Sequence, residues 1–424
     1  MLDLSETNWL RGNMQKLSTW DRGIENRIDA LTMGLGKVRA RFVKDAITGI
    51  RRSRSLRLSK IGEALDEQIV LHATHKRLSR NLADDGIGQI VMERVLARGA
   101  ETITEDTRIV LDQFQIEKRF ATKMEFIDDI DTGDSHCMGY RMCEALSSNI
   151  GSDTYRPLTF ALWSRNAPGY QSDNHEIISL IKNIQKAAAN KGTFILNAGL
   201  GDDDDVLGFL STESTTNFIT RLHDERQLMY RQHTQPVSEL VQDRDLPYSC
   251  SVFKYDDDRE KQYCLQYGFV PVRLPQAPDR PLSLVVVRCD SYEADSRGTA
   301  FYYLLTSLPM RRNQRVLRRV VEAYLTRRQV IASNRLVHQK SSLDDLRVLT
   351  YVRVKNLAAL MLATHASHTD DVRGLPLAQR GLTFNRRYHA PPTIKKSLQK
   401  KAVKRSAVHG LSFPNVDSIP CPGY

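Results

Sequence analysis

The sequence predicts an α/β protein with an N-terminal helical domain, a core of strands and one helix, a β-rich insertion and C-terminal helices. Three observations carry this. Apolar residues recur every three or four positions, with no Pro, as far as residue 95; the period changes to two from residue 105; and 64 consecutive residues, Met310 to Arg373, contain neither Gly nor Pro. At about 100–200 residues per domain, 424 residues allow two to four domains. The 41% hydrophobic content excludes a disordered chain, and the length excludes a small stapled scaffold.

The opening MLDLSETNWLRGN has no apolar signal region, and the late apolar run Leu357–Ala363 is far short of the roughly 18 residues that span a bilayer. The expectation is a cytoplasmic protein, associated with the nucleoid if it binds DNA, with no membrane partner. Six cysteines never form Cys-x-x-Cys, which suits reduced, buried thiols.

Residues 1–95 read as the helical domain. Between Lys37 and Lys60 nine basic residues, among them Arg39, Arg41, Arg51, Arg52 and Arg54, face a single acid, Asp45. Clustering of this kind gives the net charge of +11 a direction, toward a polyanion such as nucleic acid. Residues 96–204 and 301–365 form the expected core. Arg108–Ile116 alternates as a strand, and Met124–Ile130, Cys137–Cys143 and Leu158–Trp163 are further strand-like pieces. An amphipathic helix, Asn174–Asn190, ends before Gly192 and leads into the short buried strand Thr193–Asn197. Three strands pairing as a meander, then a helix, then a returning strand, is an α/β order.

Residues 205–300 are punctuated by Pro236, Pro247, Pro271, Pro275, Pro278 and Pro281 and read as the β-rich insertion. The Gly- and Pro-free stretch predicts one helix over about 313–340 and another from Leu343, with Ser342 and Asp345 spaced as a capping box. The last segment, 366–424, reads as a basic tail, with ten Lys and Arg and no acid from Arg373 to Arg405. Asp112, flanked by apolar residues in the first strand, is the candidate site residue, because an acid there must be paired or bind a metal.

Several motifs in order resemble DDE transposases of the insertion sequence 4 family: Ile109-Val-Leu-Asp-Gln-Phe-Gln-Ile-Glu-Lys118, Gly139-Tyr140, Pro157-Leu158, Ser172-Asp-Asn-His-Glu176, Phe194-Ile-Leu-Asn197, Phe218-Ile-Thr-Arg221 and Ala323-Tyr-Leu-Thr-Arg-Arg-Gln-Val330. The likeness spans about residues 75–365. It implies a ribonuclease-H-like core in which two Asp and one Glu hold two Mg²⁺ or Mn²⁺ ions that cut and join DNA strands, acting as a homodimer on double-stranded transposon ends.

Asp112 matches the first metal ligand. The second Asp position is Asn197 and the Glu position falls on Ile331, so two of the three carboxylates are replaced. Asp202, in the acidic stretch after Asn197, is the candidate substitute ligand. Of the family's DNA-contacting signature, Tyr324 and Arg327 match, His338 stands at the Lys position, and Lys340 follows two residues on. The expectation is a DNA-binding protein of the transposase type with impaired catalysis. Two alternatives stay open: an active transposase whose site is completed by acids such as Asp202, and a helical nucleic-acid-binding regulator unrelated to transposition.

Overall fold

A computed structural model describes residues 23–118, 121, 123–131, 136–242, 244–256, 259–291, 299–310, 313–340, 343–368, 375–377 and 382–384. The chain divides into two compact units. The first comprises Met1–Phe194, Ser214–Thr216 and Val330–Leu377, and the second Ile195–Glu213, Asn217–Gln329 and Ala378–Tyr424.

After a helical stretch over residues 23–32, the described part of the first unit continues with four helices, α1 (Lys37–Ser53), α2 (Leu58–Leu65), α3 (Leu71–Asn81) and α4 (Ile87–Ala100). Their apolar faces do not close on one another. Phe42, Val43, Ile47, Leu78 and Val91 belong to the same core as Tyr140, Phe160 and Leu162 of the sheet and Leu357, Leu360 and Met361 of the helix Tyr351–Ser367. Every residue of that helix from Asn356 to His365 is buried, whereas Lys355 before them is exposed. The expected boundary at residue 95 is therefore not a boundary of the compact units, because the N-terminal helices have no core of their own.

At one crossing the helices approach backbone to side chain. Gly88 N donates to Asn356 Oδ1 at 2.9 Å, and Asn356 Nδ2 donates to Leu82 O and Asp84 O at 2.8 and 2.7 Å. A Cβ at Gly88 would lie 2.4 Å from Asn356 Oδ1, so only Gly fits.

The sheet of this unit contains β1 (Thr107–Glu117), β2 (Asp128–Asp131), β3 (His136–Asn149), β4 (Thr154–Trp163) and the start of β5 (Thr193–Leu196). Its order is β4-β3-β1-β5, with β2 beside β3 and the short strand Leu375–Pro376 outside β4. The expected meander is present, but the piece Met124–Ile130 is a strand only from Asp128, since Phe126 takes the left-handed conformation, φ 53°. Between β4 and β5 runs α5 (Asp173–Ala187), capped by Ser172 Oγ, which accepts from His175 N at 3.0 Å. Gly192, at φ 90°, turns the chain into β5.

The second unit is built on β6 (Asn217–Leu222), β7 (Gln227–Tyr230), β8 (His233–Pro236), β9 (Tyr248–Asp256), β10 (Arg259–Leu274), β11 (Ala277–Ser291) and β12 (Thr299–Thr306). Their order is β6-β12-β11-β10-β7-β8, with β9 also paired to β10. The β-rich character expected of 205–300 is seen, except that Asp204–Thr212 is a helix capped by Asp203. The helix Gln314–Leu325 packs Leu317, Val320, Val321 and Tyr324 inward.

Two helical expectations are corrected. The run 313–340 is two helices, broken at Thr326, whose hydroxyl donates to Glu322 O at 2.6 Å, a backbone-directed bond that competes with helix continuation. Leu343–Asp345 is only a 3₁₀ turn, and the next helix starts at Tyr351, so no capping box opens a helix at Leu343; Ser342 lies outside the described residues. Most of the basic tail lies outside them too.

Candidate functional site

Asp112 ends a run of six consecutive buried residues on β1. The antiparallel register sets Glu144 of β3 directly opposite. Cα atoms so paired are about 5 Å apart and their side chains share one face of the sheet. Asp112 is 4% and Glu144 1% exposed, so two carboxylates are buried side by side. Such a pair needs compensation from donors or cations.

The compensation comes from one stripe of the helix Arg327–Lys340. Ile331, Asn334, Arg335 and His338 stand at i, i+3, i+4 and i+7, hence on one face. Arg335 Nη2 donates to Asp112 Oδ1 at 3.1 Å. Asn334 Nδ2 donates to Glu144 Oε2 at 2.5 Å, and His338 Nε2 lies 2.8 Å from the same oxygen. A cavity of about 290 Å³ is lined by Asp112, Phe114, Asn334, Arg335 and His338. Below it Lys118 donates from Nζ to the carbonyls of Leu343, Asp344 and Leu346 at 2.9, 2.6 and 3.2 Å, and burial pulls its ammonium down to about 8.

Burial holds the Asp112 carboxyl above the usual carboxylate range although Arg335 draws it down, and the charge of Glu144 adds to the rise. Burial also disfavours a charged His338, but the charge and hydrogen bond of Glu144 prevail and hold the imidazole above its ordinary value. Its Nε2 then donates to Glu144. His365, edge-on to His338 at 5.5 Å, is driven well below its ordinary value by burial and by that neighbour. One histidine of the pair is favoured as a cation and the other as a neutral ring.

Two divalent ions need anionic oxygens around open positions. Here Asp112 faces a guanidinium and Glu144 an imidazole and an amide. Among the described residues no group of three or more His, Cys, Asp and Glu side chains could hold a metal ion. The residues present do not fit a two-metal centre.

The other expected site residues fall as follows. Asn197 caps the turn Ala198–Gly201, its Oδ1 accepting from Leu200 N at 2.9 Å, so the oxygen expected to face a metal serves the backbone. Ile331 shares the stripe with Arg335 and brings no ligand. Asp202 is buried in the second unit, where its carboxylate accepts from His223 N at 2.7 Å and Arg226 Nε at 2.6 Å and lies 2.6 Å from His223 Nδ1, so it is engaged by cationic and donor groups.

The residues expected to contact DNA fall as follows. Tyr324 is 1% and Arg327 7% exposed, and the Arg327 guanidinium lies 4.1 Å from the Tyr324 ring centroid, so both belong to the interior. His338 faces Glu144. The side chain of Lys340 lies outside the described residues.

On α1, Arg39 holds Asp84 through two bonds of 2.7 and 2.9 Å, and Arg41 holds Glu67 at 3.0 Å. Arg51 is half-buried, while Arg52 and Arg54 are exposed. Exposed ion pairs are worth about 0–1 kcal/mol, so these arginines can exchange an acid for a phosphate at little cost.

Among solved structures, a piggyBac transposase synaptic complex with hairpin DNA is similar to this chain. The match covers 91% of this chain and 79% of that one, with 10% identity and a TM-score of 0.37. No family model matches the chain, and no curated protein matches it.

Glu144, Asn334 and Arg335 are not singled out by sequence reasoning. The available signals are an acid within the apolar strand Cys137–Leu146 and polar residues at helical spacing after Ile331. One consequence is measurable. Asp112→Asn is expected to stabilise the protein by about 1 kcal/mol at pH 7, because it removes a carboxylate that burial and Glu144 disfavour while keeping an acceptor for Arg335. The raised value means the folded state favours the protonated acid. The gain should therefore vanish well below the ordinary carboxylate range and appear as pH rises through the folded value of Asp112. Urea unfolding at pH 4 and pH 7 checks this.

Proposed function

We propose that this chain is a DNA-binding protein of the transposase type that holds double-stranded transposon ends, as a homodimer, without cutting them. The observation that carries this is Asp112 paired with Arg335, on the same helical stripe as Ile331, the position where the resemblance expects a metal-binding Glu. The three-strand meander followed by α5 and β5 supports the ribonuclease-H-like core, with Asp112 in its expected strand. For DNA as the partner, a net charge of +11 and the arginines of α1 supply the electrostatics.

Binding to labelled duplex carrying the element ends should weaken steeply as salt rises, because each phosphate contact releases counterions. A flat salt response would reject α1 as a DNA-contacting surface. With Mg²⁺ or Mn²⁺ present no specific nick is expected. Nicking by the native protein that is lost in Asp112→Ala would establish the active alternative.

A further inference from the structure

We infer that Arg335 is a built-in cation that fills the place a divalent ion would take at Asp112, and that its side chain is what keeps this site from binding one. Three observations meet here. Two carboxylates lie directly opposite in the sheet, both buried. The guanidinium reaches one of them with two nitrogens, at 3.1 and 3.4 Å. The Arg335 side chain itself is 59% exposed, so it closes the cavity from the solvent side and can be replaced without opening a hole in the core.

Mg²⁺ and Mn²⁺ are held in many proteins by one or two carboxylates, with water completing the shell. Asp112 supplies one such carboxylate once the guanidinium is gone, while Glu144 stays bonded to Asn334 and His338. A fixed positive charge at this distance repels an incoming dication and occupies its oxygens, both of which lower affinity. None of this depends on transposase ancestry, so the two ideas fail separately: nicking assays test the first and ion binding the second.

Mn²⁺ titrations of the full-length protein, followed by loss of the free-ion electron paramagnetic resonance signal, test it. The native protein and Arg335→Lys, which keeps the charge, should bind weakly. Arg335→Ala and Arg335→Gln should each bind at least about tenfold tighter, a change of about 1.4 kcal/mol. Adding Asp112→Asn to Arg335→Ala should cancel the gain. The inference is overturned if the native protein binds as tightly as Arg335→Ala, or if Arg335→Ala and Arg335→Gln, shown folded by circular dichroism, gain nothing. It is also overturned if the gain survives Asp112→Asn.

Discussion

Glu144→Gln is expected to cost about 2–4 kcal/mol of stability at pH 6, the largest loss of any single change at the site. The carboxylate is 1% exposed and one of its oxygens serves both Asn334 and His338. Glutamine offers a single acceptor oxygen and brings two N–H groups into a place that has donors already. The pH dependence follows from His338, whose value is raised in the folded state. A raised imidazole contributes stability that is complete below its unfolded value of about 6.5 and is lost as pH rises through the folded value. The difference between native and variant should therefore shrink from pH 6 to pH 9. Two-dimensional NMR should show His338 titrating lower in the variant. An unchanged midpoint would mean that Glu144 does not hold the proton.

Asn356→Ala should be nearly as damaging, at about 2–4 kcal/mol, and with no dependence on pH. Three hydrogen bonds end on this buried amide, from Gly88 N and to Leu82 O and Asp84 O. Truncation leaves one donor and two acceptors without partners where water has little access. Chemical denaturation measures the loss directly. Native-state hydrogen exchange should show the Gly88 amide among the most accelerated sites, which an effect spread evenly over the helix would not produce.

The strands around Asp112 are legible in the sequence because they are local. Alternation in Arg108–Ile116, the apolar spacing of Asn174–Asn190 and Gly192 after it each report a few residues of backbone, and the observed elements follow them. The site is less legible because its contacts are not local. Asp112 meets Glu144 only through strand register, and Arg335 only across 223 residues of chain. No spacing rule joins such positions. A run without Gly or Pro also proved a poor guide to helix ends, since the hydroxyl of Thr326 breaks it at a residue that composition treats as neutral. Tyr324 and Arg327 show the same limit from the other side: the family resemblance implied a contact with DNA, while both side chains are buried.

The two compact units are interleaved along the chain, which passes from one to the other at residues 194/195, 213/214, 216/217, 329/330 and 377/378. Neither can be cut out as one continuous piece. A fragment ending at residue 194 would keep Asp112 and Glu144 but lose the helix that neutralises them and the largely buried helix Tyr351–Ser367 that completes the core of the unit. Limited proteolysis within the second unit should for the same reason leave its pieces associated until the protein is denatured. A premature stop anywhere before residue 330 leaves both units incomplete, the first without Val330–Leu377 and the second without its last segment.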